Sequence, residues 1–193
     1  LDSEGYPWIV FRSGAPATFM VTTSDNKDGT WSTRTGFPKI VYESPHGVTP
    51  YCKILPASKS SADVYVIHGG TMVPHPSYPE TVTQLTGHYV NRDSISPPES
   101  IGLSWEAFSW NAAVSPDNNT IWVIHFPGAM KGRIHNRGPG PDGVWSTEHT
   151  LNAGWIIQPG FEIQSETVAY MYWLGGWDVD HELAWFQQVD LKN

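Results

Sequence analysis

The feature that most constrains the fold is an internal repeat of a polar turn followed by an aromatic or β-branched strand. Aligning the chain on itself gives four copies, whose strand segments are residues 8–12, 64–68, 121–125 and 169–173. The segments end at residues 12, 68, 125 and 173, so the copies follow one another at intervals of 56, 57 and 48 residues. A period of this length is typical of arrays in which each copy is one supersecondary unit.

Further strand-like segments flank each copy, so the repeated unit is larger than one strand. They precede the later copies at 51–55, 110–114 and 155–163, and they follow the four copies at 18–23, 88–92, 133–137 and 182–186. The pattern Asp-Gly-x-Trp-Ser-Thr occurs at 28–33 and 142–147, two repeat lengths apart, and is interpreted as the outermost strand. We therefore expect a four-stranded antiparallel unit with strands a, b, c and d from the inside outwards.

Composition favours strands over helices. The 193 residues include 10 Trp, 18 Gly and 16 Pro. Aromatic residues and turn formers in such numbers are typical of many short strands. No stretch of ten residues repeats its apolar positions at the helical period of about 3.6 residues. The sequence therefore predicts an all-β chain.

The period and the four-stranded unit together predict a β-propeller with one blade per copy. The expected blades are residues 1–44, 45–104, 105–152 and 153–193, the first lacking strand a and the last lacking strand d. Because both ends fall inside a blade, we expect the C-terminal half of a ring of about seven blades, completed by a missing N-terminal half or by a second copy. A four-bladed ring and an open β-sandwich with coincidental repetition are the alternatives.

Charge and targeting signals narrow the class of protein. The chain has 11 Lys and Arg against 19 Asp and Glu, a net charge of −8, and no basic run. This argues against nucleic acid and anionic membrane surfaces as partners, because both are bound through basic clusters. No apolar run approaches the roughly 20 residues of a membrane span. Asn118 begins an Asn-Asn-Thr glycosylation sequon, and we expect a secreted, extracellular glycoprotein.

Two segments resemble a known family of propellers. The segment 24–31, Ser-Asp-Asn-Lys-Asp-Gly-Thr-Trp, resembles the Asp-box turn of sialidase-type BNR propellers, with Asn26 and Asp28 departing from the motif. The segment 2–12 is similar to the blades of BNR-repeat polysaccharide lyases, a group that includes ulvan lyases and rhamnose–glucuronate lyases. The resemblance implies a propeller that acts on polysaccharides.

The loops between strands b and c are unequal in length and rich in polar and aromatic residues, so we place function on their side of the ring. The longest is expected to run from His68 to His88, with His75 and Tyr78 inside it. The last one offers Trp177 beside two carboxylates. An exposed indole of this kind stacks on sugar rings.

These residue types match the needs of a polysaccharide lyase. β-Elimination from a uronate requires a base, an acid and a cation on the carboxylate. We assign these roles to four residues, as the resemblance also implies for His, Tyr and Arg: His68, His88, Tyr89 and Arg92. The expected substrate contacts are Arg12, His75, Tyr78, His125, Arg133 and Trp177.

Other interpretations of the same residues stay open. His125 at a strand end is expected to bond a backbone carbonyl, and the matched Asn-Arg pairs that end in Arg92 and Arg137 suggest a scaffold contact. A sugar-binding propeller without catalysis and a sialidase-type hydrolase are the alternative functions. Asp178 and Asp180 are candidate Ca²⁺ ligands, and the loop histidines are candidate Zn²⁺ ligands, although neither spacing is specific.

Overall fold

The computed structural model of the chain describes residues 1–14, 18–43, 51–72, 83–104, 109–117, 119–127, 131–146, 149–152, 157–175 and 183–191. Throughout these ranges the backbone forms strands, turns and extended segments. No helix long and apolar enough to cross a lipid bilayer is found in them.

The strands form four antiparallel sheets, each built from consecutive strands of the chain. Sheet 1 contains β1 (Trp8–Ser13), β2 (Thr18–Thr23) and β3 (Lys39–Glu43). Sheet 2 contains β4 (Cys52–Pro56), β5 (Val64–Met72), β6 (Thr83–Val90) and β7 (Glu99–Ser104). Sheet 3 contains β8 (Trp110–Val114), β9 (Ile121–His125), β10 (Lys131–Arg137) and β11 (His149–Asn152). Sheet 4 contains β12 (Ile157–Ile163), β13 (Val168–Gly175) and β14 (Leu183–Asp190).

This arrangement confirms the prediction of an all-β chain made of four meanders. The inner two sheets have four strands each, and the described parts of the first and last sheets have three. In sheet 1 the innermost strand is the repeated segment itself, and in sheet 4 the outermost strand is the one that follows it.

Apolar clusters join each sheet to the next one in the chain. Val21 of sheet 1 packs with Val66 of sheet 2, Ile67 of sheet 2 with Val123 of sheet 3, and Ile124 of sheet 3 with Met171 of sheet 4. Alternate residues of a strand point to opposite faces, so the middle strands serve two clusters at once. We call the face toward the following sheet the front and the opposite face the rear.

The turn that precedes each repeated strand fixes how the four copies align. A backbone hydrogen bond closes each turn, and the residue that accepts it always lies two positions before an aromatic residue. These aromatic residues are Trp8, Tyr65, Trp122 and Tyr170. The predicted alignment of the first copy is therefore wrong by one residue, and Arg12 is not the counterpart of His68.

The two Asp-Gly-x-Trp-Ser-Thr segments are not the outermost strands. They lie between the last two strands of sheets 1 and 3, where isolated bridges pair Ser24 with Thr33 and Arg137 with Trp145. The bridging residues occupy different places in the pattern, so the two copies are out of step by two residues. Trp31 is 43% exposed, whereas the Trp145 indole packs against sheet 2 and donates a hydrogen bond to Tyr65.

Candidate functional site

A pair of histidines lies on the rear face of sheet 2, toward sheet 1. His88 on β6 pairs with Val66 on β5, and His68 follows Val66 by two residues, so both imidazoles project from the same face. Their Nε2 atoms are 3.2 Å apart, and their rings are inclined by 15°. The strand pairing of β5 and β6 therefore brings together two residues that are 20 apart in the sequence.

Strands β5 and β6 are longer than the sequence suggested. The predicted loop from His68 to His88 is wrong in its bounds, because β5 continues to Met72 and β6 begins at Thr83. The two histidines are consequently held by the backbone of a central strand pair, which fixes them better than a loop would.

The histidine pair lines an open cleft of about 680 Å³ between β3 and sheet 2. The Tyr42 ring of β3 stacks on the His68 imidazole, with ring centroids 4.3 Å apart. His68 and His88 are 1% and 6% exposed, so they form the floor of the cleft rather than its rim. The polar lining of the cleft comprises Tyr42, Glu43, His68, Gln84, Thr86 and His88.

Burial keeps both imidazoles neutral at physiological pH. Desolvation and, to a lesser extent, the neighbouring His88 lower the pKa of His68 to about 3. Desolvation also lowers the pKa of His88, although the carbonyl of Ser96 opposes this shift. Neutral imidazoles can each accept a proton, so the pair is suited to general acid–base chemistry.

The hydrogen bonds of His88 determine which ring nitrogens of the pair carry a proton. Its Nδ1 lies 3.2 Å from the carbonyl oxygen of Ser96 and donates to it. In a neutral ring the Nε2 of His88 then carries the lone pair and accepts an N–H from the Nε2 of His68. The pair thus contains one N–H shared between two rings in a buried setting.

Sheet 3 holds a second histidine pair in the equivalent position. His135 pairs with Val123 as His88 pairs with Val66, and the Nε2 atoms of His125 and His135 are 3.0 Å apart. The Nδ1 of His135 faces the carbonyl of Ser146, as that of His88 faces the carbonyl of Ser96. The repeat therefore reproduces both imidazole rings and the backbone carbonyl that faces the Nδ1 of the second ring.

The second pair is as buried as the first, with His125 and His135 2% and 7% exposed, but it lies against β7 instead of a cleft. The Nδ1 of His125 donates to the carbonyl of Leu103 at 2.5 Å, as expected for a capping histidine. A methyl group at Gly102 would lie 2.6 Å from the Nε2 of His125, so β7 covers the pair directly. Desolvation and, to a lesser extent, the neighbouring His135 lower the pKa of His125 to about 3. This pair is part of the packing between sheets 2 and 3.

Tyr89 and Arg92 do not join the histidine pair. Tyr89 pairs with Tyr65 on the front face of sheet 2, where its hydroxyl donates to the Asp63 carboxylate. Arg92 follows β6 and forms a salt bridge of 3.1 Å with Glu4, above the ring of Tyr6. The predicted set of four catalytic residues is thus divided among three surfaces of the molecule.

The matched Asn-Arg pairs are also not equivalent. Because His88 corresponds to His135, Arg137 corresponds to Val90 and not to Arg92. Arg137 is fully buried and holds Glu99 through two hydrogen bonds of 2.8 and 2.9 Å, whereas Arg92 is partly exposed. The shared scaffold contact suggested by the sequence is therefore absent for these two arginines.

The remaining predicted residues fall into two groups. Arg12 lies on the front face of sheet 1, and Arg133 on β10 donates to the Thr150 hydroxyl at 2.5 Å. The others lie outside the described residues, and their roles stay predictions: His75, Tyr78, Asn118, Trp177, Asp178 and Asp180. Across the ranges that the structure describes, no three His, Cys, Asp or Glu side chains come together as metal ligands.

Sequence reasoning missed the residues that β3 and β6 contribute to the cleft. Tyr42 and Glu43 were overlooked because the outermost strand of sheet 1 was placed ten residues too early. The alternating segment Lys39–Glu43, bounded by a proline, was the signal that could have located it. Gln84 and Thr86 were assigned to a loop, although they alternate with the buried Leu85.

No known protein-family model matches the chain, and no curated protein sequence matches it. Fold alone does not define a function, since similar folds serve many activities. The assignment of function therefore depends on the geometry and chemistry of the cleft.

Proposed function

We propose that the chain is part of a carbohydrate-active β-propeller that cleaves a uronate-containing polysaccharide by β-elimination. The observation that carries the proposal is the neutral pair of His68 and His88 on the floor of an open cleft. The resemblance of the sequence to BNR-repeat polysaccharide lyases agrees with it. A secreted location with glycosylation at Asn118 belongs to the same proposal.

The chemistry of elimination fits a neutral histidine pair. A base removes the C5 proton of the uronate, the electron pair forms a double bond between C4 and C5, and the bond from C4 to the glycosidic oxygen breaks. The departing oxygen takes up a proton and leaves as a hydroxyl. In our proposal the base is Nδ1 of His68, a buried nitrogen that neither carries a proton nor has a hydrogen-bond partner. The proton that it takes from C5 is then passed to the departing oxygen.

The uronate carboxylate also requires a cation or a hydrogen-bond donor, and in our proposal Arg12 supplies it. Arg12 on β1 pairs with Phe19 on β2, which in turn pairs with Tyr42 on β3. Paired residues project from the same face of a sheet, so Arg12 and Tyr42 lie in one row across sheet 1. Arg12 takes the role that the sequence suggested for Arg92.

The stacking of the four sheets supports the propeller assignment. Each of the first three sheets packs its front face on the rear face of the next, and the first strands of sheets 3 and 4, β8 and β12, contact each other. A ring of blades has this order of contacts. In our proposal the four sheets are consecutive blades of a ring of about seven, and the cleft lies between two of them.

The lyase proposal is tested by absorbance of the unsaturated uronate during incubation with uronate-containing polysaccharides. We expect absorbance to rise with the wild-type chain and its rate to fall about 100-fold or more in His68→Gln and His88→Gln, since general acid–base catalysis contributes 10² to 10⁴. His135→Gln is the matched control, because it alters the pair that lies against β7. If no polysaccharide yields absorbance while the chain binds it, the protein is a lectin. Equal losses in His88→Gln and in a folded His135→Gln would disprove the assignment to the pair in the cleft.

A further inference from the structure

Cys52, the single cysteine of the chain, lies beside His68 on the rear face of sheet 2. The two residues are direct partners in the pairing of β4 with β5, so their side chains project from the same face. One residue further along, the N–H of Gly69 donates to the carbonyl of Tyr51 at 3.1 Å. Bonded and non-bonded pairs alternate along an antiparallel ladder, so Cys52 and His68 form a non-bonded pair, in which the side chains lie closest.

His68 keeps one ring nitrogen without a partner. Its Nε2 carries the N–H that is donated to His88, so its Nδ1 has a lone pair. His68 is 1% exposed, and its Nδ1 is buried without a hydrogen bond. Nδ1 and Nε2 lie on opposite edges of an imidazole ring. Because Nε2 points across the sheet to β6, Nδ1 faces the side of β4, where Cys52 lies.

The Cys52 side chain supplies a second ligand atom beside this lone pair. Cys52 is a free cysteine and only partly buried, so an ion can reach it from solvent. Desolvation raises the pKa of its thiol to about 11, so the sulfur keeps its proton at physiological pH and is a poor nucleophile. A thiophilic metal ion displaces this proton when it binds, because the thiolate is the form that ligates metals.

We propose that the Sγ of Cys52 and the Nδ1 of His68 bind a soft monovalent cation, with Cu⁺ as its type. Thiolate sulfur selects Cu⁺ among the biological metals, and imidazole is also a copper ligand. Within the described ranges no group of three His, Cys, Asp or Glu side chains could hold a metal. Cu⁺ is satisfied by two ligands, whereas a structural Zn²⁺ requires four. A bridging ion needs about 4 Å between sulfur and nitrogen, a distance that directly paired side chains reach.

This metal site does not depend on the proposed lyase activity. The ion takes the lone pair of Nδ1 and leaves the N–H between His68 and His88 in place. In the proposed elimination the same Nδ1 is the base, so bound Cu⁺ also blocks that reaction. Metal binding is therefore measured directly, and its outcome stands apart from the outcome of the lyase assay.

Anaerobic competition with the Cu⁺ chelator bicinchoninate tests the site on the reduced 193-residue chain. We expect the wild type to bind one Cu⁺ and Cys52→Ser to bind none. His68→Gln should bind about 10-fold more weakly or worse, since loss of even an outer-shell partner costs 10- to 100-fold. His125→Gln is the matched control, because the partner of His125 on β8 is Trp110 and not a cysteine. Its affinity for Cu⁺ should equal that of the wild type.

A second measurement needs no variant at His68. Cu⁺ is diamagnetic, so ¹⁵N NMR of the histidine-labelled wild-type chain shows which ring nitrogen it binds. We expect the Nδ1 resonance of His68 to shift on addition of Cu⁺. A wild-type chain that binds no Cu⁺ in the competition would overturn the proposal. Binding that shifts no histidine nitrogen, or that is unchanged in His68→Gln, would overturn it as well, because the thiol would then be acting alone.

Discussion

Gly87 on β6 leaves the space that the Tyr65 ring occupies on the front face of sheet 2. The Tyr65 ring crosses β6 at Gly87 to reach Glu99, where its hydroxyl donates at 2.8 Å, and Arg137 lies over the ring. A side chain at residue 87 would occupy the space of the tyrosine ring. The buried ion pair of Arg137 and Glu99 is thus built around a glycine.

Replacing Gly87 by Ala is therefore expected to destabilise the fold. The added methyl group would lie 2.2 Å from the Tyr65 hydroxyl oxygen, and relief of this overlap should lower the free energy of unfolding by about 2 kcal/mol. Urea denaturation measures the change. Gly138→Ala is the control, because a methyl group there meets nothing within 4 Å. Equal stability of the two variants would contradict the packing described.

The buried histidines predict a dependence of stability on pH. The pKa of His68 and of His125 is about 3 in the folded chain, against an ordinary value of 6.5. Between these values the unfolded chain binds more protons, so unfolding becomes easier as pH falls from 6.5 toward 3. Each histidine contributes up to about 1.4 kcal/mol per pH unit in this window.

This pH dependence is measured by urea unfolding at a series of pH values above the acid transition. The slope of unfolding free energy against pH, and not its absolute value, is compared between the wild type and His125→Gln. We expect a smaller slope in the variant, because one titrating group is removed from the unfolded chain. An unchanged slope would mean that His125 is already protonated in the folded protein.

At the residue scale, the sequence identified the two histidines of the cleft but not the residues of β3 and β6 that line it with them. His68 and His88 were expected to face each other across a loop, and the structure brings their rings together across the strand pair β5 and β6. Tyr89 and Arg92 were grouped with them for their chemistry and for the resemblance to the lyases. The face of a strand changes with every residue, so His88 and Tyr89 point in opposite directions.

At the scale of the strand, the aromatic residue near the start of each repeated strand is the main packing element. Trp8, Tyr65 and Trp122 are each buried between two sheets, whereas Tyr170 lies near the start of a strand whose front face no described sheet covers. The four positions have the same register and differ in what covers them. Truncating them therefore measures directly how much sheet-on-sheet packing contributes to the free energy of unfolding.

Truncation of these aromatic residues should separate the covered positions from the open one. Trp122→Ala is expected to lower the unfolding free energy by about 4 kcal/mol, as for other buried aromatic residues. Tyr170→Ala should cost about 1 kcal/mol or less when it is measured on the monomeric chain. Thermal or urea unfolding gives both values. Similar losses at both positions would mean that the front face of sheet 4 is covered within the chain.

The strands themselves were largely predictable, and their registers were not. The segment from Trp8 to Phe11 is apolar at every position, so its pattern cannot show which residues face sheet 2. The alignment of the first copy failed for this reason. The turn hydrogen bonds that correct it depend on backbone geometry, which residue types alone do not determine.

At the scale of the whole molecule, the four described sheets form a stack, and an open cleft lies between sheets 1 and 2. The repeat places a histidine pair on the rear face of each of the two inner sheets. The two pairs differ only in the strands that pack against them. Leu103 and Gly102 of β7 lie against one pair, whereas the other pair forms the floor of the cleft beside β3. This difference arises between sheets, so a comparison of the repeats in sequence could not reveal it.

The most direct test of the proposed function is the mass of the fragments released from a uronate-containing polysaccharide. Elimination adds no water, so the account predicts fragments whose new non-reducing ends are each lighter by one water than the products of hydrolysis. Mass spectrometry resolves this difference without assumptions about rate. Fragments that carry the added water would contradict the account in favour of a hydrolase, and polysaccharide that is bound but intact would contradict it in favour of a lectin.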